Sequence, residues 1–308
     1  MSNAPAQLFD VPGPRGRMIQ RIVAAVMILV AVAFGALVIW RLGERGNLSA
    51  ARWSPFLTES VWLVNIIPGL INTLYAAAIS IVLACTLGLL LGIGRLSTIA
   101  PLRWLCTVFV ELFRAVPVLV MMMLAFWGAL YYLELPGRFL PLFGAVVGLT
   151  LYNSCIIAEL IRSGVHSLPK GQGEAGLSIG LTRGQTLMSI QLPQALTAML
   201  PSLVAQLVVV LKDTALAYQI TYPELLRQGV RIGSQYGNIV PAIIVIALIF
   251  IVINFLLTSF AQWLERRLSR RGRSSGKTKA KEEPTPSDGM AGSNVDSRVP
   301  DENRILRG

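Results

Sequence analysis

Charged residues are scarce in this 308-residue sequence: Asp, Glu, Lys and Arg together make up 14% of it, whereas 54% is hydrophobic. The mean hydropathy of +0.62 is too high for a soluble domain of this size. The composition is therefore that of a polytopic membrane protein. The net charge of +11 does not indicate nucleic-acid binding, because the basic residues concentrate beside apolar segments and in the C-terminal tail, as the positive-inside rule expects.

Signals for catalysis and metal binding are also lacking. His166 is the single histidine, and the sequence contains no HExxH motif, no GxSxG motif and no nucleotide-binding loop. Three cysteines lie in apolar surroundings without a CxxC pair, which predicts small packing residues rather than disulfides or metal ligands: Cys85, Cys106 and Cys155. We therefore predict no catalytic residue, no metal site and no cofactor in this chain.

Long apolar segments are present instead, and they predict an all-α integral membrane protein with six transmembrane helices, each able to cross about 30 Å of hydrocarbon. The segments are residues 22–40, 66–93, 115–133, 139–158, 190–211 and 239–263. An interfacial helix over residues 104–114 leads into the third span. In the second span, Gly88 and Gly92 have the four-residue spacing that lets helices approach closely, although glycine is also simply common in membrane helices.

The distribution of Lys and Arg predicts the orientation. Sixteen of these residues fall in segments on the N-terminal side of the membrane and seven on the other, so both termini are predicted to lie in the cytoplasm, with the protein in the plasma membrane. We divide the chain into a cytoplasmic lead (1–18), the first span with an extracytoplasmic connector (19–65), the main transmembrane domain (66–264) and a basic tail (265–308). The tail is predicted to be disordered beyond its first turn or two.

The loop at residues 169–193, between the fourth and fifth spans, carries the most distinctive pattern. Pro169 can open a helix because no backbone N–H is needed there, and Gly180 can end one. Thr182, followed three residues later by Gln185, forms a capping box that starts a second helix. The pattern predicts two short helices joined at Gly180, a shape suited to another protein's groove. The alternative is an ordinary connector.

The spacing of this loop resembles the EAA loop of ATP-binding-cassette importer permeases. The matching residues are Glu174, Ala175, Gly180, Ile190, Leu192 and Pro193, while Gly176 replaces the second alanine. Residues 111–120, and the pair Glu159 and Arg162 with the glycines that follow, are similar to the polar amino-acid permeases of that class. The extra N-terminal helix and the basic tail resemble glutamate permeases of actinobacterial type.

This resemblance implies a type I importer permease with a five-helix core, one added N-terminal helix and cytoplasmic coupling helices. The matching loop residues, together with Gly176, would dock a dimeric ATPase subunit that binds Mg-ATP. Further implied partners are a second homologous permease or a second copy of this chain, an extracytoplasmic solute-binding protein and membrane lipid. The expected substrate is glutamate. Alternatives are glutamine, aspartate or a basic amino acid, and the other protein classes considered are a secondary transporter and a scaffold without transport.

Ionisable residues near the span ends suggest two further roles. Two acid–base pairs are each three residues apart and are predicted to form structural ion pairs on their own helix faces: Glu111 with Arg114, and Glu159 with Arg162. At the outer end of the fifth span, an adjacent cation and anion could bind the two ends of an amino acid with help from neutral groups. The predicted substrate-path residues are Lys212, Asp213, Thr214 and Asn153, and the alternative for Lys212 and Asp213 is an interfacial ion pair.

Overall fold

The computed structural model describes residues 13–273, and within this range the chain is helical along almost its whole length, without a strand. This confirms the all-α prediction. The α-helices are α1 (Pro14–Glu44), α2 (Ala50–Trp53), α3 (Glu59–Val61), α4 (Ile67–Leu96), α5 (Ala100–Ala115), α6 (Val118–Tyr132), α7 (Leu140–His166), α8 (Lys170–Ser178), α9 (Arg183–Thr186), α10 (Leu192–Asp213), α11 (Leu225–Gln235) and α12 (Ile239–Arg273).

Several of these helices join into longer runs that could cross a membrane. Among the described residues, five runs are long and apolar enough: Arg15–Glu44, Glu59–Leu96, Leu140–His166, Arg183–Ile220 and Ile239–Phe260. The pair α5 and α6 passes the same test together but is bent by 101°. The bend falls at Val116, whose backbone is extended because the following Pro117 disfavours the helical conformation there. With the bent pair counted as one broken span, the described residues hold six candidate spans, which is the predicted number.

The centre of the bundle is the contact between α4 and α7. A Cβ atom added at Gly88 would lie 2.8 Å from Cβ of Ile157 and 2.9 Å from the carbonyl oxygen of Ser154. One added at Gly92 would lie 3.1 Å from Cβ of Ile161. The glycine spacing therefore serves close helix packing, which drives association in lipid. The span in α1, in contrast, has none of its residues buried against the rest of the described chain.

The segment before α12 packs against the start of α4. Leu225 and Ile232 of α11 are fully buried in one apolar cluster with Ile66 and Ile246. Glu224, which is also fully buried, caps α11 by accepting hydrogen bonds from the backbone N–H groups of Leu226 and Arg227, both at 2.7 Å. Removal from water raises the pKa of Glu224 to about 7.

The predictions for the cysteines and for the C-terminal tail agree with the structure only in part. Cys106 and Cys155 are buried packing residues as predicted, but Cys85 is exposed at the surface of the chain. The last helix continues to Arg273, so the helical start of the tail, predicted to be a turn or two long, extends over its first nine residues. The remainder of that tail, residues 274–308, and most of the predicted lead, residues 1–12, lie outside the described residues.

Candidate coupling surface

Residues 169–193, which we call the elbow, fold as two short helices. Pro169 is the N-cap of α8. This helix ends in a Schellman motif, in which Gly180 has a φ of +85° and its N–H donates to the carbonyl of Leu177 at 3.0 Å. The N–H of Leu181 donates to the carbonyl of Gly176 at 3.1 Å. A left-handed residue is required at this position, which glycine adopts without strain.

The second helix of the elbow begins at the predicted capping box. The backbone N–H of Thr182 donates to Oε1 of Gln185 at 2.9 Å, and the N–H of Gln185 donates to Oγ1 of Thr182 at 3.3 Å. From there α9 continues through a π-helical turn, Leu187–Gln191, directly into α10. The elbow is therefore a helical extension of a membrane span, and both its predicted helices and its turn at Gly180 are confirmed.

The exposed surface of the elbow combines one acid with apolar side chains. Part of it, with Glu174, Leu177 and Met188, lines a cavity of about 1120 Å³ that the elbow shares with α4 and α5. Glu174 and Ala175 are exposed on α8, and Ile179 is 74% exposed. Leu177 and Met188 are also exposed apolar residues of the elbow. Within the described chain, the Glu174 carboxylate has no hydrogen bond or ion pair. Such a surface, apolar with an uncompensated charge, is suited to contact with another protein.

The remaining residues of the pattern hold the elbow together from inside. Gly176 is buried, and a Cβ atom there would lie 2.6 Å from Cγ2 of Thr186 and 3.1 Å from Cδ1 of Ile190. Leu192 is buried, whereas Pro193 is exposed in the first turn of α10. The EAA-like pattern thus separates into residues that face outward and residues that fix one helix against the other.

Where α4, α5 and α7 meet, the predicted acid–base pairs form a single cluster around an arginine that the sequence analysis did not assign to it. Nη1 of Arg95 donates to Oε2 of Glu159 at 2.6 Å, and its Nη2 donates to Oε1 of Glu111 at 3.1 Å. Nη2 of Arg162 donates to Oε1 of Glu159 at 2.6 Å, as predicted. Arg114 lies 3.6 Å from Oε2 of the same glutamate. We call these five residues the arginine–glutamate cluster.

The predicted pairing of Glu111 with Arg114 within α5 is therefore wrong. Helix packing places the 95%-buried side chain of Arg95 beside Glu111, and a buried guanidinium needs acceptors more than an exposed one does. Arg114 turns to Glu159 on α7 instead. All four predicted residues take part in ion pairs, but only Glu159 and Arg162 pair with each other as expected.

The predicted substrate-path residues occupy two different levels of the bundle. Asn153 is fully buried in α7, and its Oδ1 accepts a hydrogen bond from Nε2 of Gln206 at 2.7 Å. Thr214, also buried, donates to the carbonyl of Leu211. Gln206 and Thr214 are eight residues apart, or about 12 Å along a helix. Lys212 is exposed and Asp213 half-buried beside Thr214.

Gln206 was missed by the sequence analysis. An amide in the middle of an otherwise apolar span was the available signal, because a polar group at that depth needs a partner. The role of these residues in a solute path stays a prediction.

Comparison with known proteins identifies the family of this chain. Residues 84–270 match the family model for the inner membrane component of binding-protein-dependent transport systems. The glutamate transport system permease protein GluD of Corynebacterium glutamicum is 45% identical over 263 residues, which cover 84% of this chain and 96% of the relative. The glutamate/aspartate import permease protein GltK of Escherichia coli is 31% identical, with 70% and 97% covered.

Further relatives carry other substrates in their names. The probable glutamine ABC transporter permease protein GlnP of Bacillus subtilis is 37% identical, with 65% of this chain and 91% of the relative covered. Among solved structures, an amino acid ABC transporter crystallised with histidines has a TM-score of 0.60 at 28% identity, covering 66% of this chain and 93% of that one. The inward-facing methionine transporter MetNI, at 19% identity, has a TM-score of 0.55 and supports the fold alone, covering 68% and 99%.

The fold and the matches together define a multi-pass membrane permease, a transporter component rather than an enzyme, whose ATPase is a separate subunit. The chain belongs to the family of inner membrane components of binding-protein-dependent transport systems, among the amino-acid ABC permeases.

Proposed function

We propose that this chain is the permease of an importer for glutamate and that the elbow is the docking site of its ATPase subunits. The observation that carries the proposal is the exposed surface of the elbow, where Glu174 and Ala175 on α8 and Ile179 directly after it are exposed on a segment that is fixed to a membrane span. The relatives named for glutamate support this substrate. The relative named for glutamine keeps glutamine as an alternative, and aspartate and basic amino acids are the others.

In this proposal the ATPase dimer binds Mg-ATP, and its closure moves the elbow. The elbow is covalently continuous with α7 on one side and α10 on the other, and Nε2 of Gln194 donates to Oε1 of Gln172 at 3.1 Å, which ties α10 to α8. A displacement of the elbow therefore reaches both spans. The result is alternation between inward-open and outward-open states by rigid-body rocking.

The proposed assembly has a second homologous permease, or a second copy of this chain, beside the first. A solute-binding protein delivers the amino acid from the opposite side of the membrane. Both termini lie in the cytoplasm, which an even number of spans requires when the elbow faces the ATPase. The excess of Lys and Arg on that side supports this orientation.

Replacing Glu174 with Lys tests the docking role. Charge reversal at a protein–protein contact costs several kcal/mol through like-charge juxtaposition or an unpaired buried group, so ATPase recovery with the purified permease should fall severely while membrane insertion stays normal. The matched control is Glu134→Lys, which reverses an exposed glutamate between α6 and α7. Normal ATPase recovery and normal uptake by the Glu174→Lys protein would show that the elbow is not the docking site.

Uptake in proteoliposomes containing the full importer tests the substrate. Radiolabelled glutamate should accumulate only with ATP inside the vesicle, the side that corresponds to the cytoplasm. Excess unlabelled glutamate should compete with it, whereas excess glutamine or arginine should not. Stronger competition by glutamine or arginine would assign the transporter to that amino acid while leaving the docking role of the elbow intact.

A further inference from the structure

A cavity of about 560 Å³ lies between the first turns of α5 and the ends of α4 and α7. We call it the basic pocket. Its charged or titratable lining residues are Arg95, Arg103, Arg162 and His166, and Trp104 closes one side. None of the described residues that line it is acidic. The side chains come from three different helices, so the pocket is a product of the fold rather than of one basic segment.

The basic pocket has surplus positive charge. The neighbouring arginine–glutamate cluster contains three arginines and two glutamates, which leaves one positive charge. Arg103 adds a second, because its side-chain hydrogen bond goes to the neutral carbonyl of Ser97 at 3.2 Å. A site with a net charge of about two and no acidic lining attracts a dianion or a phosphodiester.

Donor groups in the basic pocket are also left over. Arg162 uses Nε and Nη2 on Glu159, which leaves Nη1 for another acceptor. The side chain of Arg95 is 95% buried, and its two terminal nitrogens are used on Glu159 and Glu111, so Arg95 adds positive charge to the pocket but no free terminal nitrogen. Phosphate oxygens, like those of a carboxylate, match the planar fork of arginine.

The surroundings of the basic pocket indicate which phosphate compound it holds. Trp104 is 68% exposed, and Leu105 and Leu112 on the same helix are about as exposed, so α5 presents an apolar surface next to the pocket. Tryptophan favours the depth of lipid headgroups, and an amphipathic helix with such a face lies in the membrane interface. In the proposed orientation this end of the bundle is cytoplasmic, the side on which basic pockets between spans bind anionic headgroups.

We propose that the basic pocket binds the phosphate headgroup of an anionic membrane lipid, with Arg103 and Arg162 contacting the phosphate and the acyl chains lying along the exposed face of α5. The proposal rests on the proposed orientation. The bound phosphate joins α5 to α7 four residues before the end of α7, immediately ahead of the elbow. It therefore stabilises the position of the interfacial helix relative to the span that carries the elbow.

The test uses the purified full-length permease, without ATPase, in phosphatidylcholine nanodiscs into which phosphatidylglycerol is titrated, with bound lipid counted by native mass spectrometry. Arg103→Gln should weaken phosphatidylglycerol binding about fivefold, the effect of one basic residue at an anionic surface. Arg103→Lys keeps the charge and should stay within about twofold. Lys170→Gln removes an exposed positive charge at the start of α8 and should leave binding unchanged, which controls for general electrostatic attraction.

Three outcomes would overturn the assignment. Unchanged phosphatidylglycerol binding by monodisperse Arg103→Gln protein would show that the pocket is not the lipid site. Full displacement of the lipid by millimolar glycerol 3-phosphate would show that the site takes a soluble phosphate compound. Equal binding of phosphatidylglycerol and of phosphatidylcholine by the wild-type protein would show that the pocket does not select an anionic headgroup. Because lipid binding is measured without ATPase or transport, failure of the proposed transport function leaves the result interpretable.

Discussion

The protonated carboxyl group of Glu224 should stabilise the folded protein, and this stabilisation should be lost as the pH rises through the weakly acidic range. The carboxyl group is fully buried at the N-terminus of α11, and burial raises its pKa from 4.5 to about 7. A carboxyl with a higher pKa in the folded than in the unfolded state binds a proton on folding. The stabilisation is complete below pH 4.5 and is lost as the pH rises towards 7.

The magnitude follows from the shift in pKa. One pKa unit corresponds to about 1.4 kcal/mol, so the full shift contributes about 3 kcal/mol. Glu224→Gln keeps one of the two oxygens that accept from the N–H groups of Leu226 and Arg227, and it does not titrate. The free energy of unfolding should therefore decline with pH by about 3 kcal/mol more in the wild-type protein than in Glu224→Gln.

Thermal unfolding of the detergent-purified protein between pH 4.5 and 8 measures this difference. The wild-type protein should lose several degrees of unfolding midpoint relative to Glu224→Gln across that range. Glu59→Gln, which alters an exposed carboxyl on α3, should keep the wild-type pH profile. Parallel profiles for the wild-type and Glu224→Gln proteins would refute the assignment of a raised pKa to this group.

Three further predictions concern the ion pairs, the packing of the elbow and the solute path. Glu159→Gln should lower the free energy of unfolding by about 3 kcal/mol, because it removes the carboxylate charge that pairs with the 5%-exposed side chain of Arg95. Arg114→Gln should lower it by less than about 1 kcal/mol in the same melting assay, because the ion pair of Arg114 is longer and more exposed. Gly176→Ala should destabilise the elbow by about 1 kcal/mol because of the clash with Thr186. Adding Thr186→Ala should restore the midpoint, and a midpoint that rises in the single variant would contradict the clash. Lys212→Met should raise the KM for glutamate uptake without changing the amount of assembled complex, and unchanged kinetics would leave Lys212 and Asp213 as an interfacial pair.

The elbow and most of the spans could be predicted because their signals are local. The Schellman turn at Gly180 and the capping box at Thr182 depend on residues within six positions of each other. Hydrocarbon thickness fixes the minimum length of a span whatever its neighbours are. Even the break before α6 was encoded locally, since Pro117 constrains the backbone of Val116.

Polar partners in the bundle could not be predicted in the same way. Arg95 and Glu159 are 64 positions apart, and Asn153 and Gln206 are 53 apart. Which helices meet, and in what register, decides these pairs. The rule for residues three apart on a helix predicted the pair of Glu159 and Arg162 correctly. It failed for Glu111, because the carboxylate of Glu111 accepts a hydrogen bond from Arg95 of α4 instead.

These long-range contacts also determine where movement occurs in the proposed transport cycle. Near the elbow, α7 and α10 are in close contact, since a Cβ atom at Gly164 would lie 2.5 Å from Cγ of Met199. In mid-span the same two helices are joined by Asn153 and Gln206, and Gly88 fixes α4 against α7. A displacement of the elbow therefore moves α4, α7 and α10 together rather than bending one against another. In the proposed assembly, alternating access should then take place between this chain and the second permease, because the packed spans within the chain leave little freedom for sliding.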